Sequence, residues 1–211
     1  MLNKKDFLKY ASKLAFPIMI QNLIGTLVNI ADTVMLGYVS QTAMSASSLA
    51  NQYTFILFCL YYGMATGTSV LCAQYWGKGD KKTVEKILGL AERSSLIISL
   101  VFFFISFSMP TTIMKIFTNG PETIAAGSEY LKVISFSFMF MGFSQVFMSA
   151  LRSIGKIMIP SVTYIVSLCV NVLCNATFIF GLFGFPKLGV TGVALGTVIA
   201  RITEVLICLI Y

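Results

Sequence analysis

The stretch LVNIADTVMLGY, Leu27 to Tyr38, holds one charged side chain, Asp32, within a long apolar segment. The nearest charged residues are Lys13 on one side and Lys78 on the other. Such a segment is typical of helices that cross a lipid bilayer, which need about 20 apolar residues each. A carboxylate at the centre of a span costs about 2.5–3.5 kcal/mol on insertion scales, so we expect a function for it.

The whole chain has the composition of an integral membrane protein. Of its 211 residues, 57% are hydrophobic and 11% are charged, and the mean hydropathy is +0.86. Soluble domains average about 25% charged residues. Because the apolar runs are long and do not alternate with polar residues, they predict helices rather than the strands of a barrel. The expected fold class is all-α.

Six transmembrane helices are predicted in a single domain over residues 1–211. Basic residues concentrate before the first span and in the second and fourth connections. The positive-inside rule therefore places the N-terminus on the cytoplasmic side of the plasma membrane. The last apolar run reaches Tyr211 without a basic flank, which predicts a fragment of a longer chain. The spans are roughly 14–38, 50–76, 89–109, 124–150, 160–183 and 188–211.

Several function classes are disfavoured by composition. The chain has no histidine, which is the commonest general base and metal ligand, so an enzyme is not expected. Its five cysteines lie in or beside apolar runs without C-x-x-C spacing, so neither a metal site nor a disulfide framework is predicted. The net charge of +7 comes from residues at the edges of spans, which indicates membrane topology rather than nucleic-acid binding.

Polar side chains recur at helical spacing within four spans. Residues three, four or seven apart share one face of a helix, and such faces would line a polar cavity. A carboxylate there can bind a proton or a monovalent cation. The alternative is that these side chains only hydrogen-bond neighbouring helices together. The sets are Asn22, Asn29 and Asp32; Gln145, Ser149 and Arg152; Ser167, Asn171 and Asn175; and Thr197, Arg201 and Glu204, whose last two members are predicted to pair.

Two further patterns have more than one interpretation. The run FSFMFMGFSQVFM, Phe136 to Met148, suits a surface for bulky apolar ligands, because methionine repacks easily. Contact with lipid or with other helices explains it equally well. Gly63 and Gly67, and Gly192 and Gly196, are pairs at four-residue spacing that indicate close helix packing.

Four stretches, in order, resemble one known family across essentially the whole chain. They are FP followed by ADTVMLG in the first span, AQYWGKGD ending the second, LRSIGKIMIP after the fourth, and NVLCNATFIFGLFGFPKLGVTGVALGTVIAR through the fifth and sixth. The family is that of the multidrug and toxic compound extrusion (MATE) transporters. The resemblance implies two six-helix lobes around a central cavity and export of organic cations or drugs in exchange for Na⁺ or H⁺. This chain would be the N-terminal lobe, completed by a missing C-terminal lobe or by a second copy.

The resemblance also implies a coupling site for a cation or proton. Asp32 matches the family's first-span aspartate, Asn171 its fifth-span asparagine and Thr197 its sixth-span threonine. Many members carry a second carboxylate in N-x-x-x-D, where this sequence reads N-V-L-C-N and offers Asn175. The loss of one negative charge should weaken Na⁺ binding, so the identity of the coupling ion stays open. No other cofactor is expected.

Three residues are candidates for the substrate cavity. The family's fourth-span cavity position matches Gln145, and Met148 and Asn29 share the neighbouring polar and Met-rich faces. Pro17 matches a first-span proline that is associated with helix bending in some members.

Two other functions are weighed against the exporter. A flippase for lipid-linked oligosaccharides would need several cationic groups for phosphates, whereas the spans offer mainly Arg201, beside Glu204, and Arg152. A truncated membrane protein without transport activity is the second alternative.

Overall fold

The computed structural model describes residues 32–210, together with Ser12, Ala15, Phe16, Met19, Ile20, Leu23, Thr26, Leu27 and Ile30. Every regular element in this part of the chain is helical, so the predicted all-α class is confirmed. Residues 32–37 form the described end of helix α1. The other elements are α2 (Gln41–Gly77), α3 (Lys81–Ser108), α4 (Pro110–Phe117), α5 (Pro121–Ile134), α6 (Ser137–Ser153), α7 (Met158–Phe180), a 3-10 turn (Leu182–Gly184) and α8 (Val190–Ile210).

Several of these helices have the length and composition of membrane spans. Four of them, α2, α3, α7 and α8, qualify singly, and α5 and α6 qualify together as a pair bent by 54°, the geometry of a broken span or of a re-entrant loop. Along α3, Leu90, Ile97 and Phe104 are 68%, 63% and 61% exposed. Their seven-residue spacing puts them on one face, which is stable against lipid and costly in water. The chain is therefore a multi-pass membrane protein.

Helices α2 and α3 begin well before the predicted spans because capping side chains define their N-terminal ends. Ser40 accepts a hydrogen bond from the Ala43 N–H (2.9 Å) at the start of α2. Asp80 accepts one from the Thr83 N–H (3.1 Å) at the start of α3. The predicted spans began at 50 and 89 because the apolar residues begin there. Each helix extends further toward its N-terminus, through polar residues, until it reaches its capping side chain.

The span predicted over 124–150 consists of two helices. The Ser135 hydroxyl donates to the carbonyl three residues earlier (2.8 Å), and the Ser137 hydroxyl donates to that of Ile134 (2.6 Å). The Phe138 N–H bonds to the Ser135 carbonyl, three rather than four residues back (3.1 Å). Hydroxyls that bond to backbone carbonyls bend helices, which explains a break that contains no proline.

The bend is fixed by a buried contact among three helices. Tyr61 of α2 donates to the Phe138 carbonyl (3.1 Å), and Ser99 of α3 donates to the same oxygen (3.3 Å). The two hydroxyl oxygens are 2.6 Å apart, and both residues are fully buried. A Cβ at Gly142 would lie 2.9 Å from the Ser99 hydroxyl, so only glycine permits this approach.

Helices α7 and α8 form a closely packed antiparallel pair. Helix α7 ends at Gly181, whose φ of 71° is the left-handed conformation that glycine adopts readily. The Leu188 N–H then donates to the Phe178 carbonyl (2.9 Å) and turns the chain back. A Cβ at Gly192 would lie 2.8 Å from that of Phe178, so the predicted close packing is present here. The polar faces of α7 and α8 are thereby brought together.

Candidate functional site

A chain of side-chain hydrogen bonds joins α1, α7 and α8. The Asn175 amide nitrogen donates to a carboxylate oxygen of Asp32 (2.9 Å) and to the amide oxygen of Asn171 (3.2 Å). The Asn171 amide nitrogen donates to the Thr197 hydroxyl (3.4 Å), which donates to the Val193 carbonyl (3.0 Å). We call Asp32, Asn171, Asn175 and Thr197 the Asp32 cluster.

The orientation of Asn175 depends on the close approach of α8. Asn175 is fully buried, and a Cβ at Gly196 would overlap its amide oxygen and lie 3.2 Å from its backbone nitrogen. That amide oxygen has no hydrogen-bond partner among the described residues. The Asn175 amide is therefore held with its nitrogen toward Asp32 and its oxygen against Gly196. Its nitrogen donates one hydrogen bond to Asp32 on α1 and one to Asn171 on α7.

Asp32 lies near one end of the bundle rather than at its centre. It is half-buried and precedes the last helical residue of α1, Gly37, by about 7 Å along the axis. The Tyr130 hydroxyl lies within electrostatic range of its carboxylate and donates to Asn51 (3.1 Å). A carboxylate close to the end of a span is less costly than one at its centre.

A second carboxylate is held by a different set of partners. One guanidinium nitrogen of Arg201 lies 2.9 Å from both oxygens of Glu204, which confirms the predicted pair. The hydroxyls of Ser144 and Ser167 each donate to one oxygen at 2.9 Å. Glu204 is 5% exposed. We call Ser144, Ser167, Arg201 and Glu204 the Glu204 cluster, and it joins α6, α7 and α8.

Two of the three predicted cavity residues lie on α6 at the level of the Glu204 cluster. Gln145 and Met148 are on α6 beside Ser144, and no hydrogen bond in the described part of the chain joins them to the Asp32 cluster. Met148 is 7% exposed and packs in the interior, while Gln145 is half-buried. Pro17 and Asn29 lie outside the described residues.

Two contributors escaped the sequence analysis. Ser144 has no polar neighbour one turn before it on its face of α6, and Tyr130 lies between Glu129 and Lys132 in α5, where no polar face was predicted. The role of each residue depends on a partner from another helix. Residue spacing along a single helix therefore cannot identify it.

The chain matches known proteins over most of its length. The sequence model of the MatE family matches residues 17–177. A probable multidrug resistance protein NorM of Thermotoga maritima is 30% identical over 90% of this chain and 41% of its own length. Multidrug resistance protein PmpM of Pseudomonas aeruginosa is 29% identical over 88% of this chain and 39% of its own length.

Solved structures show the same fold. One described as MATE in the straight conformation gives a TM-score of 0.84 at 23% identity, over 93% of this chain and 43% of that chain. A MOP superfamily transporter from Pyrococcus furiosus gives a TM-score of 0.83 at 22% identity. The chain thus spans about two fifths of the length of the proteins it matches.

Proposed function

The chain belongs to the MatE family, and we propose that it works as one lobe of a secondary active antiporter that exports organic cations or drugs. The observation that carries the proposal is the Asp32 cluster. It places one carboxylate, without a cationic partner among the described residues, at the junction of three membrane helices. A carboxylate in that position is suited to bind a cation or a proton. Binding would alter the hydrogen bonds that join the three helices.

The coupling follows from the hydrogen bonds that Asp32 accepts. In its charged form the carboxylate holds the Asn175 amide, and through it Asn171 and Thr197. Protonation removes the charge that strengthens the bond from Asn175, since bonds to ionised acceptors are roughly twice as strong as neutral ones. The hydrogen-bonded contact of α1 with α7 and α8 therefore weakens when Asp32 is protonated. That difference between two states is what a coupled transporter requires.

The arrangement favours a proton over Na⁺ as the coupling ion. A sodium ion needs several oxygens turned toward one point. Here the Asn175 nitrogen occupies the position between the Asp32 and Asn171 oxygens, and the Asn175 oxygen faces Gly196 instead. Asn175 would have to turn its amide over before all three side chains offered an oxygen to a metal ion, whereas a proton needs only Asp32.

The greater length of the family members implies a second lobe as the partner of this chain. The chain covers 41% of the Thermotoga relative, so about one more lobe of similar size completes such a protein. We propose that the C-terminal lobe, or a second copy of this chain, packs against it across a central cavity, with the N-terminus in the cytoplasm. The mass of the protein purified from its source membrane distinguishes the two arrangements.

The function is tested with the full protein, expressed from its own gene and reconstituted in liposomes. Efflux of a fluorescent organic cation is measured under an imposed pH gradient and, separately, under an imposed Na⁺ gradient. We expect the pH gradient to drive efflux and Asp32→Asn to abolish that dependence. Transport by Asp32→Asn with an unchanged response to both gradients would remove Asp32 from the mechanism.

A matched control is available in Asp80→Asn. Asp80 is an exposed aspartate that caps α3, and asparagine caps helices equally well. The control removes the same charge outside the span and should transport like the wild type. If the two variants lost efflux equally, the loss would reflect general damage, and the coupling role of Asp32 would be refuted.

A further inference from the structure

Glu92 is an acidic residue within a span whose carboxyl group has no partner in the described part of the chain. It lies on α3, three residues inside the apolar segment predicted to begin at residue 89. Both carboxyl oxygens are buried, and neither forms a hydrogen bond with a described residue. An ionised carboxylate is too costly to bury without partners, so a group in this position takes up a proton and becomes neutral. The surroundings of Glu92 therefore favour the protonated carboxyl.

The helices around Glu92 bring no positive charge into electrostatic range of it, among the residues that the structure describes. The Cys208 thiol of α8 lies within electrostatic range of Glu92 and also of Glu204, one turn earlier on α8. Glu204 is already paired with Arg201. Helices α4 and α5 lie beyond the level of Ser99, toward the other end of α3. The remaining ionisable side chains near this level of α2 and α6 have other neighbours: Arg152 interacts with Tyr62, and Cys72 packs against Val84 and Ala150.

A pocket between α3 and α6 connects the Glu92 side chain with the surface of the bundle. Its volume is about 190 Å³, which is enough for several water molecules. Arg93 is exposed at this pocket and forms no ion pair with any described residue. The pocket therefore gives Glu92 a route to water and a cation beside that route. Its lining residues are Glu92, Arg93, Ser95, Leu96, Met139 and Phe143.

Glu92 and Asp32 lie toward opposite ends of the bundle. Helix α1 ends close to Asp32, and α2 then runs for 37 residues, about 55 Å, to the connection that precedes α3. Glu92 is about 16 Å along α3 from its first residue, Lys81. In the proposed topology the connection between α2 and α3 is cytoplasmic, so Glu92 is nearer the cytoplasm and Asp32 is nearer the outside.

Buried hydroxyl groups continue along α3 from Glu92 toward the other end of the bundle. Ser95, Ser99 and Ser106 are at most 1% exposed, and their spacing puts them on the same face of α3 as Glu92. The Tyr61 hydroxyl oxygen of α2 lies 2.6 Å from that of Ser99. A hydroxyl donates one hydrogen bond while it accepts another, so a line of hydroxyls with water between them can pass a proton.

This line of hydroxyls reaches the neighbourhood of Asp32. Tyr53 of α2 lies beside Ser106 and is two residues from Asn51. Asn51 accepts a hydrogen bond from the Tyr130 hydroxyl (3.1 Å), which is within electrostatic range of Asp32. The two carboxyl groups are thus joined by a buried face of polar side chains and not by apolar packing alone.

We propose that Glu92 releases to the cytoplasm the proton that is taken up at Asp32. The inference rests on the proposed function and deepens it, because it adds the exit of the proton to its entry. On release, the O–H bond of the Glu92 carboxyl breaks, the proton passes to a water molecule in the pocket, and the electron pair stays on the carboxylate. The carboxylate then turns toward Arg93 and forms a charge-assisted pair with it. Acidic side chains inside spans are typical members of proton relays in transporters.

The protonated state of Glu92 is tested by infrared spectroscopy on the full protein in lipid nanodiscs. A protonated carboxyl has a carbonyl absorption that an ionised carboxylate lacks. We expect Glu92→Gln to lose one component of that absorption at neutral pH. Glu85→Gln is the matched control on the exposed side of α3 and should keep the absorption. An unchanged absorption in Glu92→Gln would show that Glu92 is ionised and would overturn the inference.

Proton release is tested in inside-out membrane vesicles, which expose the cytoplasmic side of the full protein to the buffer. Uptake of a fluorescent organic cation is measured while the buffer pH varies and the pH inside the vesicles stays constant. In the wild type and in Glu85→Gln, a more acidic buffer should slow uptake because it opposes release. Glu92→Gln should be about a hundredfold slower, as for the loss of a positioned acid–base group. It should also lose the dependence on buffer pH, and a wild-type rate with wild-type pH dependence would overturn the inference.

Arg93→Gln separates release from protonation. The burial of the Glu92 oxygens does not depend on Arg93, so the infrared absorption should match that of the wild type. Uptake should be slower, because the newly formed carboxylate has no cation to pair with. Uptake at the wild-type rate in Arg93→Gln would overturn the pairing step.

Failure of this inference is distinguishable from failure of the proposed function. If the wild type shows no gradient-driven efflux, the exporter proposal fails, and the infrared comparison still decides whether Glu92 carries a proton. If wild-type efflux depends on Asp32 but Glu92→Gln transports like the wild type, the exporter proposal stands and Glu92 is not the release group.

Discussion

Two carboxylates of the bundle, Asp32 and Glu204, are held in opposite ways. Glu204 is buried, lies against an arginine and accepts bonds from two hydroxyls of neighbouring helices. Asp32 is half-buried and accepts one hydrogen bond, from a neutral amide, among the described residues. The charge of Glu204 is compensated and its oxygens are fully used. Among the described residues no cation compensates the charge of Asp32, and its second oxygen accepts no hydrogen bond.

In the proposed function, this difference separates a structural carboxylate from one that changes state. Glu204 is the hydrogen-bond partner of Arg201 and of two serine hydroxyls, so three groups on three helices depend on it. Protonation of Asp32 weakens a single bond to Asn175. The two carboxylates therefore differ in their neighbours and not in their own chemistry.

The largest effect is expected from Arg201→Met, which leaves Glu204 charged and without a cation in the interior. Breaking a buried ion pair from one side costs about 3–5 kcal/mol, and the two remaining serine bonds place this case near the lower value. The measurement is thermal unfolding in detergent and in nanodiscs. Arg201→Met with Glu204→Met is the control and should regain most of the loss. Equal losses in both variants would mean that the pair is not coupled.

A smaller loss, about 1–3 kcal/mol, is expected from Gly196→Ala, because overpacking forces neighbouring groups to move. The new methyl group would overlap the Asn175 amide and push α8 away from α7. Stability should fall, and coupling to the pH gradient should fall with it, since the amide that holds Asp32 is displaced. Gly63→Ala on α2 is the control, because no atom lies within 4 Å of a Cβ there. Similar behaviour of the two variants would show that the contact at Asn175 is unimportant.

Asn175→Asp sharpens the comparison by giving the Asp32 cluster a second carboxylate. Two close carboxylates bind a cation better than one, so the variant should gain a Na⁺-dependent rise in stability that the wild type lacks. When the Na⁺ concentration is ten times the dissociation constant, the free energy of unfolding rises by about 1.4 kcal/mol. Thermal unfolding in NaCl against choline chloride measures it. Asn171→Ser, which adds no charge, is the control, and a matching Na⁺ response there would refute the argument.

The sequence predicted which residues share a helix face but not how the faces meet. The four-residue steps of Ser167, Asn171 and Asn175 on α7 require one polar face whatever the tertiary structure. The antiparallel register with α8 then sends Asn171 to Thr197 and Ser167 to Glu204. Register depends on packing between helices, so periodicity within one helix contains no information about it.

Because periodicity does not reveal the partner helix, the glycine spacing predicted close helix packing correctly for only one of two pairs. Gly192 and Gly196 lie against α7, as the pattern predicted, but Gly63 and Gly67 have no atom within 4 Å of a Cβ position in the described part of the chain. The two pairs have identical spacing, and only the partner helix distinguishes them. The break before α6 was equally hidden, because a serine bends a helix only when its hydroxyl bonds to the backbone.

The smallest effect, about 1 kcal/mol, is expected at a third carboxylate, Glu92 on α3. Both of its oxygens are buried without a hydrogen-bond partner among the described residues, unlike those of Glu204. Glu92→Met should therefore raise the melting temperature, since an unsatisfied buried polar group is replaced by an apolar one of similar length. Glu85→Met is the control on the exposed side of the same helix and should give no gain. A loss of stability in Glu92→Met would mean that this carboxylate has a partner comparable to those of Glu204.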